Sequence, residues 1–211
     1  MEYLGPLLTI PLGYFISKNR SDTAKFGAVI GFLHYLKREL ESEYVHVFSN
    51  ASVPVSGSTK NFLHYWLIYG LLVVGEIFFF KTKVSDWPKN FYWGFAAVIA
   101  LFEFLNYKCH CTLRDLRKSP SGQVDHHKRG IPRGWGFDSV HCANYTWEIL
   151  TWITYTIMTK SWMSGLFTAF GASIMLAWAK KKKKLLLEAF KDDAKLSAEL
   201  AKKALLIPGI L

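Results

Sequence analysis

The sequence predicts an all-α protein, a polytopic transmembrane helical bundle of about six to seven helices, counted from apolar runs that approach the ~20 residues a helix needs to cross hydrocarbon. Three observations carry this. Of 211 residues, 51% are hydrophobic and 16% aromatic, high for a water-soluble chain. Those residues are bunched, and in lipid a helix satisfies its backbone polar groups within itself. The basic residues behind the net charge of +10 sit at the ends of apolar runs and in two loops or tails, as at a membrane surface.

Residues 3–17 are apolar but interrupted by Gly5, Pro6, Pro11 and Gly13, which predicts a short, kinked first span. Next, Ser21 or Asp22 can cap a helix with an apolar face of Phe26, Val29, Phe32, Leu33 and Leu36. It begins as a membrane helix and ends as a charged one. Residues 49–60 read as a Ser-, Pro- and Gly-containing loop.

The clearest span is 62–80, with Tyr65 and Trp66 near one end and Lys81 and Lys83 at the other as interfacial anchors. Glu76 inside it is either functional, because an intramembrane carboxylate is expensive, or a snorkelling residue near the interface. Residues 91–107 form the next span and carry Glu103 and Asn106. Two further apolar helices, 147–160 and 162–178, break around Lys160 and Ser161 and read as a hairpin. Two regions follow: a membrane-embedded domain over 1–178 and a lysine-rich amphipathic tail over 179–211. Lys180 to Lys184 end the last span. Leu187, Phe190, Ala194, Leu196 and Leu200 then mark a surface helix stopped at Pro208.

The stretch from Asn106 to Glu148 is not explained by hydrocarbon. It holds seven Lys and Arg, four His, three Cys, two Pro and four Gly. The positive-inside rule places it and the lysine tail on the same, cytoplasm-like side. Cys109, Cys111 and Cys142 show no disulfide framework, which suits a reducing compartment. The Cys109-His110-Cys111 triplet, with Cys142, His126, His127 and His141, lacks the CxxC or HxxxH spacing zinc prefers, so no metal is expected and His110 reads as a pocket-lining group. The lysine run is attached to a span, so anionic lipid, including cardiolipin, is its expected partner and nucleic acid is not.

Within the stretch, Arg114 and Arg117 of LRDLR lie three apart on one helix face, where two guanidinium forks can grip a phosphate; the competing reading is a pair of membrane-edge arginines. IPRGWGFD (131–138) is a glycine-rich turn that lets backbone approach a ligand, with Arg133 beside it. ANYTWE (143–148) sets Asn144, Tyr145 and Glu148 at the mouth of a span, where polar groups bind a ligand or tie helices together.

Taken together, LRDLR, IPRGWGFD and CANYTWEILTW, with EYLGPL (2–7) and FLHYLKRELESEYVHVFS (32–49), resemble the very-long-chain trans-2-enoyl-CoA reductases of the steroid 5α-reductase superfamily. The likeness extends to about Phe190. It implies a steroid 5α-reductase-like multi-span enzyme of the endoplasmic reticulum membrane that uses NADPH to reduce the 2,3 double bond of an acyl-CoA during fatty-acid elongation. It also implies the membrane core alone, because the animal members carry a ubiquitin-like domain before the matching region. The catalytic candidates it implies are Lys37 and Tyr145, with Tyr35 second. The NADPH-facing set is Asn106, Arg114, Arg117, Arg133, Asn144 and Glu148. The acyl chain would lie between the spans, and the coenzyme A head against the basic face.

The sequence departs from the family at two places. His141-Cys142-Ala143-Asn144-Tyr145 stands where Ser-Cys-Pro-Asn-Tyr is usual, and the His and Tyr that follow the last span in the family are absent within Lys183 to Leu186. The second departure predicts weakened or lost NADPH binding. It keeps open another function, a catalytically degenerate reductase fold serving as an accessory subunit of a large membrane complex, for example in the mitochondrial inner membrane.

Overall fold

A computed structural model describes residues 2–47, 55–80, 86–119, 123–126 and 130–209. Lys81, Lys83, His127 and the first half of the expected 49–60 loop lie outside them. The described residues are helical, with no strands and only two isolated β-bridges. Helix α1 spans Leu4–Ile16, α2 Asp22–Tyr44, α3 Val55–Phe62, α4 Lys89–Asp115, α5 Ala143–Thr159, α6 Trp162–Ala189 and α7 Ala194–Lys202. α3 runs on as π-helix over Leu63–Val73 and Glu76–Phe80. Residues 55–60, expected in a loop, are thus the start of this helix.

α1 passes through Pro11 as one helix. Its glycines serve packing: a Cβ at Gly5 would lie 2.6 Å from the Trp66 ring, and one at Gly13 2.7 Å from Val74. α2 is capped by Ser21, whose hydroxyl accepts from the Ala24 amide at 3.2 Å, and by the Asp86 carboxylate, which accepts from the Asp22 and Thr23 amides. Its buried face is Ala24, Gly27, Ala28, Gly31, His34, Tyr35 and Glu41. Val29 and Leu33, expected as part of the apolar face, are more than half exposed at 58% and 56%. Small and polar residues inside with large apolar ones outside is the pattern of a lipid-facing helix.

The same inversion holds elsewhere. Leu8, Leu12, Phe15, Leu71, Phe80, Leu101, Trp162 and Leu166 are all exposed, large apolar side chains on the outside of several helices, as hydrocarbon favours. Thr59–Phe80 and Trp162–Ala189 are each long and apolar enough to cross a membrane. The interior between the helices is aromatic: Tyr35, Tyr69, Trp152, Tyr155 and Phe167 pack ring on ring. The Tyr155 hydroxyl donates to the Gly27 carbonyl at 3.0 Å and accepts from Tyr69 at 3.1 Å.

A Cβ at Gly31 would meet the Tyr69 hydroxyl at 2.5 Å. Gly31→Val is therefore expected to destabilise the bundle by about 1–3 kcal/mol, as overpacking does. A thermal melt in detergent checks this; a transition within a degree of the parent would contradict it.

Glu76 has a structural role. Its carboxylate accepts from the Ser161 hydroxyl and from the Trp162 and Met163 amides, at 3.2 and 2.8 Å, so it caps the N-terminus of α6, where a negative charge meets the orphan N–H groups and the positive end of the dipole. Lys160, in the left-handed region at φ 53°, turns the chain from α5 into α6. This is the expected hairpin.

α6 does not stop at the lysines. They are good helix formers, so the apolar stretch ends there while the helix continues to Ala189. Leu187 consequently belongs to α6 rather than to a separate tail helix. α7 starts at an Asp193 cap that accepts from the Leu196 amide at 3.0 Å. It docks on the approach to α5 instead of lying free. Leu200 is buried, the Ala204 and Leu205 carbonyls accept from the His141 and Cys142 amides, and the Thr146 hydroxyl donates to the Leu206 carbonyl at 2.6 Å. Lys183 caps the end of α7 through the Ala201 and Lys203 carbonyls, each at 2.9 Å.

Candidate active site

At one end of the bundle the C-terminal parts of α2 and α4 meet the first turn of α5. Their facing side chains form a buried ionic layer. Lys37 donates to the Asn106 side-chain oxygen at 2.7 Å and pairs with Glu103 at 2.7 Å and Glu41 at 3.2 Å. His34 bridges Glu103 at 2.5 Å and Glu148 at 3.3 Å. Arg38 reaches Glu41 at 2.7 Å and the Tyr3 hydroxyl at 3.0 Å. The Asn106 amide donates to the Asn144 carbonyl at 2.8 Å. Such a layer holds only if its charges are matched; Glu41, Glu103 and Glu148 are met by Lys37, Arg38 and His34.

The Nδ1 of His110 lies 3.1 Å from Glu41 and 3.3 Å from Arg38. It can donate to the carboxylate or accept from the guanidinium, not both, so the tautomer decides which contact forms. Burial alone would raise the Glu41 carboxyl, but its hydrogen bond to His110 and the charges of His110, Lys37 and Arg38 outweigh that and hold it at about 2. Burial first, then the charges of His110 and Arg38, push His46 down to about 4.

Two steps of acid destabilisation follow. The folded protein disfavours protonated His46, so stability present above the ordinary histidine value of 6.5 falls as pH drops from there toward 4. Ionised Glu41 contributes stability above the ordinary carboxyl value of 4.5, lost as pH falls toward 2. Chemical denaturation against pH should show His46→Gln removing the upper step and Glu41→Gln the lower; unchanged profiles would refute the assignment.

The turn before α5 is held in place. Gly134, Trp135 and Gly136 all have positive φ, 71°, 52° and 102°. The Trp135 carbonyl accepts from the Trp147 indole at 2.8 Å and from the Cys109 thiol at 3.4 Å. Burial raises that thiol to about 12, so Cys109 is packed and unreactive. The turn therefore acts as a brace between α4 and α5. Arg133 forks onto both oxygens of Glu199 on α7.

Asn144 and Tyr145 sit where two cavities meet. The outer one, 520 Å³, is bordered by His46, His110, Arg114, Arg117, Lys181 and Lys182 among others. The inner one, 140 Å³, is bordered by Arg38, Asn106, Glu148, Trp152 and Phe167 among others. Both residues border both cavities. Lys182 lies 4.4 Å above the Tyr145 ring. The Asn144 side-chain oxygen is buried and has no hydrogen-bond partner, an acceptor that a bound N–H would satisfy.

The sequence-predicted residues are thus distributed over several places. Asn144 and Tyr145 are at the junction, Arg114 and Arg117 at the outer cavity, and Asn106 and Glu148 at the inner one. Arg114 also pairs with Asp115 at 2.8 Å, and Arg117 donates to the Val47 carbonyl. Lys37 is joined to the junction only through Asn106. Tyr35 is fully buried among Tyr69, His34 and Trp152, its hydroxyl without a partner.

Sequence reasoning did not single out His34, Arg38, Glu41, Glu103 or Lys182 as site neighbours. A signal existed: 34, 37, 38 and 41 on α2, and 103, 106 and 110 on α4, recur at helical spacing. Glu41, His46 and His110 also offer ligand atoms within 4.8 Å of one another, a grouping the CHC triplet did not suggest.

The fold and site define a class: an all-helical protein with two helices long and apolar enough to cross a membrane and a cavity bordered by basic residues at one end of its bundle. The chain belongs to the 3-oxo-5-alpha-steroid 4-dehydrogenase family, whose pattern matches residues 51–211. It is similar to the very-long-chain enoyl-CoA reductase of Dictyostelium discoideum, 37% identical over 84% of this chain and 59% of that one. The trans-2,3-enoyl-CoA reductase-like protein of Bos taurus is 27% identical over all of this chain and 59% of its own length. The polyprenal reductase of Xenopus laevis is 31% identical over 60% of this chain and 41% of its own. The chain therefore spans about three fifths of the length of the first two relatives. The family likeness read from LRDLR, IPRGWGFD and NYTWE is borne out.

Proposed function

We propose that this chain is the polytopic membrane core of an NADPH-dependent trans-2-enoyl-CoA reductase of the endoplasmic reticulum. The observation that carries the reading is the junction itself: a hydroxyl, Tyr145, and an unsatisfied buried acceptor, Asn144, between a basic cavity and an inner polar one. The spans are α1, the first part of α2, 62–80, 91–107, 147–160 and 162–178. Lys180 and Lys184 meet anionic lipid at the cytoplasm-like face.

The residues present fit the cofactor. Arg114, Arg117, Lys181 and Lys182 supply cations for its phosphates, and Asn144 an acceptor for an amide N–H. The lysines compensate for the absent His and Tyr with charge rather than with directed hydrogen bonds. When bound, NADPH supplies the hydride for the β carbon. Negative charge then develops on the thioester oxygen, and the α carbon needs a proton. Tyr145 donates that proton, with Lys182 beside its ring. Lys37 orients the layer through Asn106, which fixes the carbonyl of Asn144 next to Tyr145.

A second reading, a non-catalytic subunit of a larger membrane assembly, draws on the saturation of two of the cations: Lys37 has three acceptors and Arg133 is forked onto Glu199. One experiment separates the readings. Purified protein should bind NADPH and oxidise it only when a trans-2-enoyl-CoA is added. Absence of NADPH binding together with stoichiometric recovery in a large complex would sink the reductase and favour the subunit.

A further inference from the structure

The inner cavity cannot hold a long acyl chain. At ~30 Å³ for a water-sized group, which is also about the size of a methylene, its 140 Å³ takes roughly five such groups, enough for the reacting end of a substrate. Between α2 and α4, on the outer side of the bundle, lies a groove of 710 Å³, room for about two dozen by the same measure. Its walls are apolar: Val29, Leu33, Trp93, Ala96 and Ala100. Lys25 stands at one end, and His34, Lys37 and Glu103 at the other.

The groove has a direction. α2 and α4 run side by side in the same sense, with Thr23 bonded to Tyr92 near their starts and Lys37 to Asn106 further along. Lys25 to Lys37 is twelve residues, ~18 Å at a helical rise of 1.5 Å per residue. Beyond Asn106 come Arg114 on α4 and Arg117 just past its end. The polar end of the groove therefore faces the same side as the basic cavity, where the anionic head of a coenzyme A thioester would be attracted. A single layer of side chains, Lys37 with Asn106 and His34 with Glu148, separates this end from the inner cavity.

We infer that the α2/α4 groove holds the acyl tail of the substrate, entered sideways from the bilayer, and that Ala96 and Ala100 set how long a tail is accepted. The inference rests on the reductase reading above. Ala96 lies seven residues from Glu103, ~10 Å along α4. A large side chain there blocks a long tail and leaves a short one free.

The test uses the full chain in phosphatidylcholine nanodiscs with NADPH, comparing trans-2-hexenoyl-CoA with trans-2-octadecenoyl-CoA. In Ala96→Trp, kcat/KM for the octadecenoyl substrate is expected to fall at least about tenfold while the hexenoyl value stays within about twofold. Ala97→Trp, on the neighbouring exposed position, should change neither. Equal losses on both substrates, or no loss on the longer one, would overturn the groove and leave it to bilayer lipid. Were the parent protein to reduce neither substrate, the reductase reading itself would fail and take the groove with it; turnover of hexenoyl-CoA by the parent distinguishes the two failures.

Discussion

Tyr145→Phe is expected to lower kcat for enoyl-CoA reduction by about 10²–10⁴-fold, the contribution of a positioned general acid. The substitution removes one hydroxyl and keeps the ring beneath Lys182 and near Trp178, so NADPH affinity should stay within about threefold, since no binding contact is lost. Steady-state turnover and equilibrium NADPH binding, measured on the same preparation, separate the two effects. Tyr35→Phe is the comparison. Its hydroxyl is fully buried and bonds to nothing, so its loss should leave turnover close to the parent. If Tyr35→Phe abolishes turnover and Tyr145→Phe does not, the proton donor has been assigned to the wrong tyrosine.

Lys37→Met should cost about 3 kcal/mol or more of stability, because breaking a buried ion pair leaves an uncompensated charge. Its removal leaves three carboxylates, Glu41, Glu103 and Glu148, facing two cations, Arg38 and His34, and the Glu41 and Glu103 side chains are only 3% and 15% exposed. Adding Glu103→Gln removes one of those charges, and the double variant should recover much of the lost stability. Activity should not recover with it, since Asn106 still lacks the ammonium that holds its oxygen. Denaturant melts and turnover on the parent, single and double variants make the cycle. Recovery of both properties together would show that Lys37 serves folding alone.

The long apolar runs were readable because lipid imposes a coarse rule: a run near the hydrocarbon thickness becomes a helix. The residues 62–80, the Lys160 break and Asn144 and Tyr145 at a helix mouth all follow from that rule and from local chemistry. What was not readable depended on partners far away in sequence. Glu76 is a cap only because Ser161 and the start of α6 arrive beside it. On α2, helical spacing marks an apolar face without saying which way it turns; Val29 and Leu33 face outward and His34, Tyr35 and Glu41 inward. Arg133 was grouped with the phosphate-binding arginines by its neighbours in the chain, and the later arrival of Glu199 sends it elsewhere. The tail helix was placed too early because lysines end a hydrophobic run without ending a helix.

The docking of residues 200–206 has a consequence for how the protein is made. The peptide groups of His141 and Cys142, which lead directly into Asn144 and Tyr145, are held by the Ala204 and Leu205 carbonyls. The described helices α1 to α7 all precede those two residues in the chain. The helices can therefore be synthesised while the first turn of α5 still lacks its brace, and assembly of the site becomes a separate, later event. A chain cut just short of residue 200 would keep α1 to α6 and leave the His141 and Cys142 amides without these acceptors.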